Sequence, residues 1–320
     1  MPRRWLRGGH VQTVASFLLP RHFNLPAPEE RFIEVAPGIQ VLCHCQWQAD
    51  RTRPLTVIIV HGLEGSSDSQ YALGVTEKAL AAGMNVVRYN QRNCGGTDAM
   101  APVLYHSGLS DDVAAVAHEL IERDRISQLA LVGFSMGGNL VLKLAGEWGQ
   151  RGDAPTQFRA VAACCPSMDL AASADALHEP ANRLYEKYFL FNLKRRMIRK
   201  AKLFPGHFDV GRMQGMRSLR DFDHQITSYY CGFNSADDYY ARASASNVVA
   251  KISAPALILH AANDPFIRIL PETRQKIARN PHIRFLETED GGHCAFIGTR
   301  NGGGDGFWAE TQIVNFLRGI

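Results

Sequence analysis

The 320-residue sequence has no apolar run near the roughly 18 residues that a bilayer-crossing helix needs, so no membrane-spanning segment is expected. Repeats and low-complexity blocks are missing, which excludes a fibrous array. Excess charge of one sign is scarce as well. A net charge of +4 forms no dense basic stripe and argues against nucleic acid as a partner. The cysteines lack a pairing pattern. Cys43, Cys45, Cys94, Cys164, Cys165, Cys231 and Cys294 are odd in number and show none of the spacings of a secreted disulfide framework. A reducing, cytoplasmic setting is therefore expected. The opening segment MPRRWLRGGHVQTVASFLLPR has no small-residue cleavage site, and Gln12 and Thr13 interrupt its apolar stretch, so it does not read as a signal peptide. The Arg3-Arg4 pair is a poor twin-arginine signal for the same reason.

What remains is an ordinary globular composition, 46% hydrophobic and 21% charged. It suits one large α/β domain with an insertion, or two modest domains. The Pro-rich LPAPEE closes an N-terminal arm over residues 1–30. Strands are predicted over 31–35 and 39–47 around the Pro37-Gly38 turn. The β-branched run LTVIIV (55–60) reads as a strand buried on both faces. Helices over 69–82, 109–123 and 136–148 then alternate with strands over 85–89, 128–132 and 158–164. This rhythm predicts a mostly parallel sheet with helices on both faces. It stops over 167–250, where the patterns are helical, and resumes with strand 256–260, helix 270–278, strand 283–287 and helix 307–318. The expected division is an N-terminal arm (1–30), an α/β core (31–166 and 251–320) and a helical cap insert (167–250). If both ends of the insert leave from the carboxyl ends of the strands, it covers the place where open α/β sheets bind ligands.

The chemistry concentrates in Gly133-Phe134-Ser135-Met136-Gly137-Gly138, between a predicted strand and a predicted helix. This is the context of a nucleophile elbow. The turn is so sharp that its flanks must be small, hence Gly133 and Gly137, and it projects Ser135 from the top of the sheet. A serine hydroxyl is a weak nucleophile and needs a base. His293 lies in a glycine-rich loop after the last predicted strand, and Asp264 follows the strand before it. The order Ser135, Asp264, His293 is nucleophile, acid, base. Asp169, after strand 158–164, is a competing acid. The expected oxyanion hole joins the amide of Met136 to that of Leu63, in the loop after the 55–60 strand. His61 in that loop is a second candidate base, though a loop-ordering role suits it better.

Other patterns fall short. Asn139-Leu140 stands where a phosphate loop needs Lys-Ser/Thr, and His118-Glu119 lacks the second histidine of a zinc helix. Cys43-His44-Cys45 has no matching pair elsewhere. Gly302-Gly303-Gly304 follows no strand, so it makes no dinucleotide fingerprint. Neither a metal nor a cofactor is expected.

With these residues in hand, the sequence resembles the α/β-hydrolases. More narrowly, it resembles the YheT-like hydrolases, a branch of bacterial predicted esterases and membrane-associated animal lipases. The resemblance rests on Gly9-His10-Val11-Gln12-Thr13, His61-Gly62-Leu63-Glu64-Gly65-Ser66-Ser67-Asp68-Ser69 and Asn90-Gln91-Arg92-Asn93-Cys94-Gly95-Gly96. It continues through the elbow, Asp221-Phe222-Asp223, Gly232-Phe233-Asn234-Ser235-Ala236-Asp237-Asp238-Tyr239-Tyr240, Asn263-Asp264-Pro265 and Gly291-Gly292-His293. It implies an α/β-hydrolase fold with Ser135, Asp264 and His293 as triad, and favours esters over amides. The expected function is a serine hydrolase that cleaves a small-molecule acyl ester through an acyl-enzyme. The alternatives are a membrane-surface lipase or phospholipase acting on long-chain esters, and a non-catalytic binding protein on a hydrolase scaffold. The stretch 183–202 (RLYEKYFLFNLKRRMIRKAK), with eight basic residues and one acid, suits an anionic membrane surface or a lipid. A solvated basic face whose apolar side packs on the main domain is the preferred reading there, so peripheral membrane contact is not favoured.

Overall fold

The computed structural model describes residues 6–300 and 305–320. Its centre is one eight-stranded sheet: β1 (Glu29–Ala36), β2 (Ile39–Gln46), β3 (Thr56–Val60), β4 (Asn85–Tyr89), β5 (Leu129–Phe134), β6 (Phe158–Cys164), β7 (Ala256–Ala261) and β8 (Ile283–Thr288). The spatial order is β1-β2-β4-β3-β5-β6-β7-β8. The β1–β2 and β2–β4 pairs are antiparallel and all others parallel.

The β-branched runs explain the buried strands. In β3, Val57 and Ile59 face one side, against α2 (Gln70–Ala81) and α11 (Trp308–Arg318). Ile58 and Val60 face the other, against α3 (Ser110–Asp124) and α4 (Met136–Arg151). Every β3 residue is buried, and each such aliphatic side chain contributes about 1.5–3 kcal/mol relative to exposure. Predicted and observed boundaries differ by at most three residues, the largest difference being the helix expected over 136–148, which runs to Arg151. The helix expected over 69–82 runs Gln70–Ala81 with Ser69 at its N-cap position, and that over 109–123 runs Ser110–Asp124.

Between β6 and β7 lie α5 (Leu170–His178), α6 (Arg183–Leu203), α7 (Leu219–Phe222), α8 (Ser228–Cys231) and α9 (Ala236–Ala243). A π-helical turn, Asp223–Thr227, joins α7 to α8. Leu190, Leu193 and Met197 of α6 pack inward with Phe222, Ile226 and Phe266. The apolar side of α6 does pack, but the same helix also carries an exposed row of large apolar residues. The remaining helix of the core is α10 (Pro271–Arg279).

The N-terminal arm is not irregular: Gly9–Leu18 forms α1. Its Gln12 and Thr13 point inward. Gln12 Nε2 donates to the carbonyls of Leu6 and Ile297, and Gln12 Oε1 accepts from the Ile297 amide. The Arg3-Arg4 pair and Gly302-Gly303-Gly304 lie outside the described residues. Among the described residues, no helix is long and apolar enough to cross a membrane.

Candidate active site

Ser135 sits between β5 and α4 at φ 54°, a left-handed conformation that a non-glycine residue adopts only under constraint. The constraint is visible in the glycines. A Cβ on Gly133 would lie 2.2 Å from the Gly137 carbonyl oxygen, and a Cβ on Gly137 would lie 2.2 Å from that of Val60. No side chain fits either place. The Ser135 amide donates to Cys164 O at 2.9 Å, which ties the turn to the end of β6.

His293 and Asp264 arrive from the loops after β8 and β7. Ser135 Oγ and His293 Nε2 are 2.9 Å apart, and His293 Nδ1 and Asp264 Oδ2 are 2.8 Å apart. With Nδ1–H donating to the carboxylate, Nε2 is left to accept from the serine hydroxyl. Asp264 is fully buried as a side chain, and its Oδ1 accepts the amides of Phe266 and Ile267. Burial alone would raise its pKa, but the His293 charge and these hydrogen bonds outweigh it and hold the carboxyl below its usual range. For His293 burial favours the neutral ring, and the Asp264 charge and hydrogen bond overcome that, raising it above an ordinary histidine.

The His293 loop is held by α1. Thr13 Oγ1 accepts the His293 amide at 2.8 Å, and Gly292, at φ 56°, approaches the Gly9 carbonyl so closely that a Cβ there would lie 2.5 Å from it. The Phe266 ring packs on the imidazole with centroids 4.4 Å apart. Nothing in residue types alone marked Thr13 or Phe266 as supports of the site. The only available signal was the Gly9–Thr13 motif.

Leu63 and Met136 line the same cavity as Ser135. The amides on either side of Leu63 are committed: Gly62 N donates to Tyr71 Oη and Glu64 N to Tyr105 Oη, both at 2.9 Å. Met136 is the first residue of α4, where helix amides lack intrahelical partners.

The competing candidates are placed elsewhere. Asp169 does not reach His293: its carboxylate accepts from the Leu270 amide and from Thr273 Oγ1, fixing the start of α10. His61 is buried. Its Nδ1 meets Gly62 O at 2.7 Å and its Nε2 accepts the Gln91 amide at 3.2 Å. Desolvation pushes it down to about 4, so it is a neutral loop-ordering histidine.

The cavity beside Ser135 has a volume of about 100 Å³. Leu177, Phe189 and Leu193 give it an apolar wall. Tyr239 and Tyr240 are buried along it, whereas Tyr229 is exposed. Asp223, also on the wall, accepts from Thr227 Oγ1 and Tyr240 Oη, each at 2.7 Å. Desolvation pushes its carboxyl up to about 6 against those two hydrogen bonds. Behind the triad, the sulfur atoms of Cys164, Cys165 and Cys294 lie within 4.8 Å of one another. Burial pushes all three thiols up, which favours the protonated form over the thiolate that a metal needs.

Residues 56–298 match the family model described as alpha/beta hydrolase fold. The chain belongs to the α/β-hydrolase fold family. It is 31% identical to the "Putative esterase YheT" of Escherichia coli (strain K12), over 99% of this chain and 92% of that protein. It is 28% identical to "Phospholipase ABHD3" of Bos taurus over 77% of this chain, and this alignment spans only 59% of that protein. Among solved structures, the Pyrococcus furiosus esterase Pf2001 superposes with a TM-score of 0.59 at 16% identity, over 93% of this chain and 98% of that one. At that identity the likeness speaks for the fold. The α/β-hydrolase sheet observed here places Ser135, Asp264 and His293 after strands β5, β7 and β8.

Proposed function

We propose that this α/β-hydrolase is a serine esterase that cleaves carboxylic esters through an acyl-enzyme on Ser135. The observation that carries the reading is the continuous contact from Ser135 Oγ through both ring nitrogens of His293 to the buried Asp264 carboxylate.

In this mechanism His293 takes the Ser135 proton as Oγ attacks the acyl carbonyl. Asp264 holds the imidazole in the tautomer that leaves Nε2 free, and its charge stabilises the imidazolium. The amides of Leu63 and Met136 receive the tetrahedral oxyanion, each worth about 3 kcal/mol of transition-state stabilisation. His293 then protonates the leaving alcohol, and water repeats the sequence on the acyl-enzyme. The helices within 167–250 act as a cap that shapes the acyl pocket, and the chain's own groups supply the chemistry without a cofactor. The apolar wall of Leu177, Phe189 and Leu193 favours an acyl chain over a charged group. Seven unpaired thiols support a reducing compartment. Similarity to proteins named esterase and phospholipase supports acyl esters, lipid esters included, as the substrate class.

A p-nitrophenyl ester series from acetate to palmitate, with wild type and Ser135→Ala side by side, tests the reading. Turnover that vanishes in the variant, with a short- or medium-chain optimum, supports the esterase. A long-chain optimum moves the assignment to a lipase. Failure of a fluorophosphonate to label folded wild-type protein returns the chain to a binding role.

A further inference from the structure

Two helices beside the candidate site turn large apolar residues to solvent, and α6 does so in addition to the Leu190, Leu193 and Met197 that it buries. On α6, the residues turned to the protein include Glu186, Arg196 and Lys200, all buried. The residues turned to solvent include Leu184 (80% exposed), Tyr188, Phe191 (63%) and Ile198. At 100° per residue, positions 184, 188, 191, 195, 198 and 202 fall on one straight stripe. On α1, Gln12 and Thr13 are buried while Val11, Val14, Phe17 (66%) and Leu18 (75%) are exposed. A helix that faces only water shows the reverse pattern.

The inward charges have partners, so the arrangement is stable. Arg196 reaches Glu64 and Asn93 O, Lys200 reaches Asn93 Oδ1 and Asp98 O, and Glu186 accepts the Leu219 amide. The outward apolar residues have nothing comparable. The two helices also touch. His10 of α1 stacks on Tyr185 of α6 with rings 6° from parallel, and His10 Nδ1 and Tyr185 Oη are 3.1 Å apart. Exposed apolar faces of this extent mark an interaction surface.

The charges on the stripe indicate what covers it. Lys187, Arg195 and Lys202 are exposed on or beside the row. Among the described residues, none of the three has a carboxylate within 4.0 Å. Apolar side chains that enter an interface, with unpaired cations beside them, are complementary to anionic lipid head groups. A second copy of the chain pairing through the same stripe would set these cations against each other. We infer that the outward faces of α1 and α6 dock the protein on an anionic lipid bilayer. Docking sets the α6 helix, whose Phe189 and Leu193 line the cavity, at the lipid surface. This inference needs no assumption about the reaction and stands or falls apart from the esterase reading.

The test is flotation of the full chain with vesicles of phosphatidylcholine alone and of phosphatidylcholine with phosphatidylglycerol. Circular dichroism and thermal unfolding check the fold of each variant. The wild type is expected to float with the anionic vesicles and to be released by salt. Lys187→Glu with Arg195→Glu is expected to weaken binding at least tenfold on the scale of ~1 kcal/mol per surface cation. Phe17→Glu with Phe191→Glu, which removes two apolar anchors and adds two like charges to the lipid's, is expected to weaken it at least tenfold as well. Three outcomes overturn the inference. One is no binding to anionic vesicles. The second is binding that folded variants retain in full. The third is a solution dimer, by light scattering, that Phe191→Glu dissociates, which would assign the faces to a second copy.

Discussion

Arg196 of α6 donates its Nε–H to Glu64 Oε1 at 2.9 Å, and Tyr105 donates its hydroxyl to the same oxygen at 2.7 Å. Glu64 follows Leu63 directly and is held at φ 56°. The proposed oxyanion loop is thus pinned by a side chain that comes from the helices between β6 and β7. Removing the guanidinium leaves the partly buried Glu64 carboxylate without its cation, a change that costs about 3 kcal/mol, the lower end of the range for a buried pair. Arg196→Ala is expected to lower the urea midpoint accordingly and to reduce kcat on a soluble ester about tenfold or more with a smaller change in KM. Equal changes in both constants, or an unchanged kcat, would show that the loop holds its position without Arg196.

Asp264 controls the basicity of His293. In the proposed mechanism His293 must be neutral to accept the Ser135 proton, so the active fraction grows as pH rises through the His293 pKa. Because Asp264 raises that pKa, the midpoint of kcat/KM against pH is expected above the ordinary histidine value of about 6.5. Asp264→Asn removes the charge and frees the wrong tautomer. The residual activity is expected to fall on the order of 10⁴-fold, with its midpoint moved down. A midpoint that stays in place would assign the titration to another group.

Gly137→Ala tests the packing beneath the elbow. The new Cβ meets backbone on both sides, 2.2 Å from Val60 O and 2.5 Å from His61 O, and neither can rotate away. A loss of about 3 kcal/mol or more is expected in denaturant unfolding. Gly319→Ala, whose Cβ meets nothing nearer than 3.5 Å, is expected within about 0.5 kcal/mol of wild type.

Asp223 gives a pH signature of stability. Burial pushes its carboxyl up to about 6, above the ordinary aspartate value of about 3.9, so the folded state favours its protonated form. That contribution is fully present below the unfolded pKa and is lost as pH rises through about 6. The loss is on the order of 3 kcal/mol. Asp223→Asn removes the titration, so the Tm of the variant relative to wild type is expected to rise between about pH 4 and about pH 8. A constant difference would place the pH dependence elsewhere.

The parallel sheet was legible because strands buried on both faces read as unbroken β-branched runs. Phe158–Cys164 was read to the residue. Ser135, Asp264 and His293 were legible as candidates because each follows a predicted strand in a small-residue or polar turn, and the structure brings the three into contact. Asp169 follows a strand too, and the contacts of the folded chain separate the two: Asp264 meets His293, while Asp169 is held by Leu270 and Thr273. Helix α1 was not legible, since the two polar residues that interrupt its apolar run are the ones that face inward. The Arg196–Glu64 pair joins residues 132 positions apart, and no local pattern marks such a partnership.

The hydrogen bond from the His293 amide to Thr13 joins residues separated by 280 positions. During synthesis, the loop bearing the imidazole can settle against α1 only after the chain has emerged from the ribosome past residue 293. On the proposed mechanism, the site is therefore completed late in the life of each molecule. A protease that cuts in the stretch between α1 and β1 would be expected to silence the protein while leaving the sheet intact.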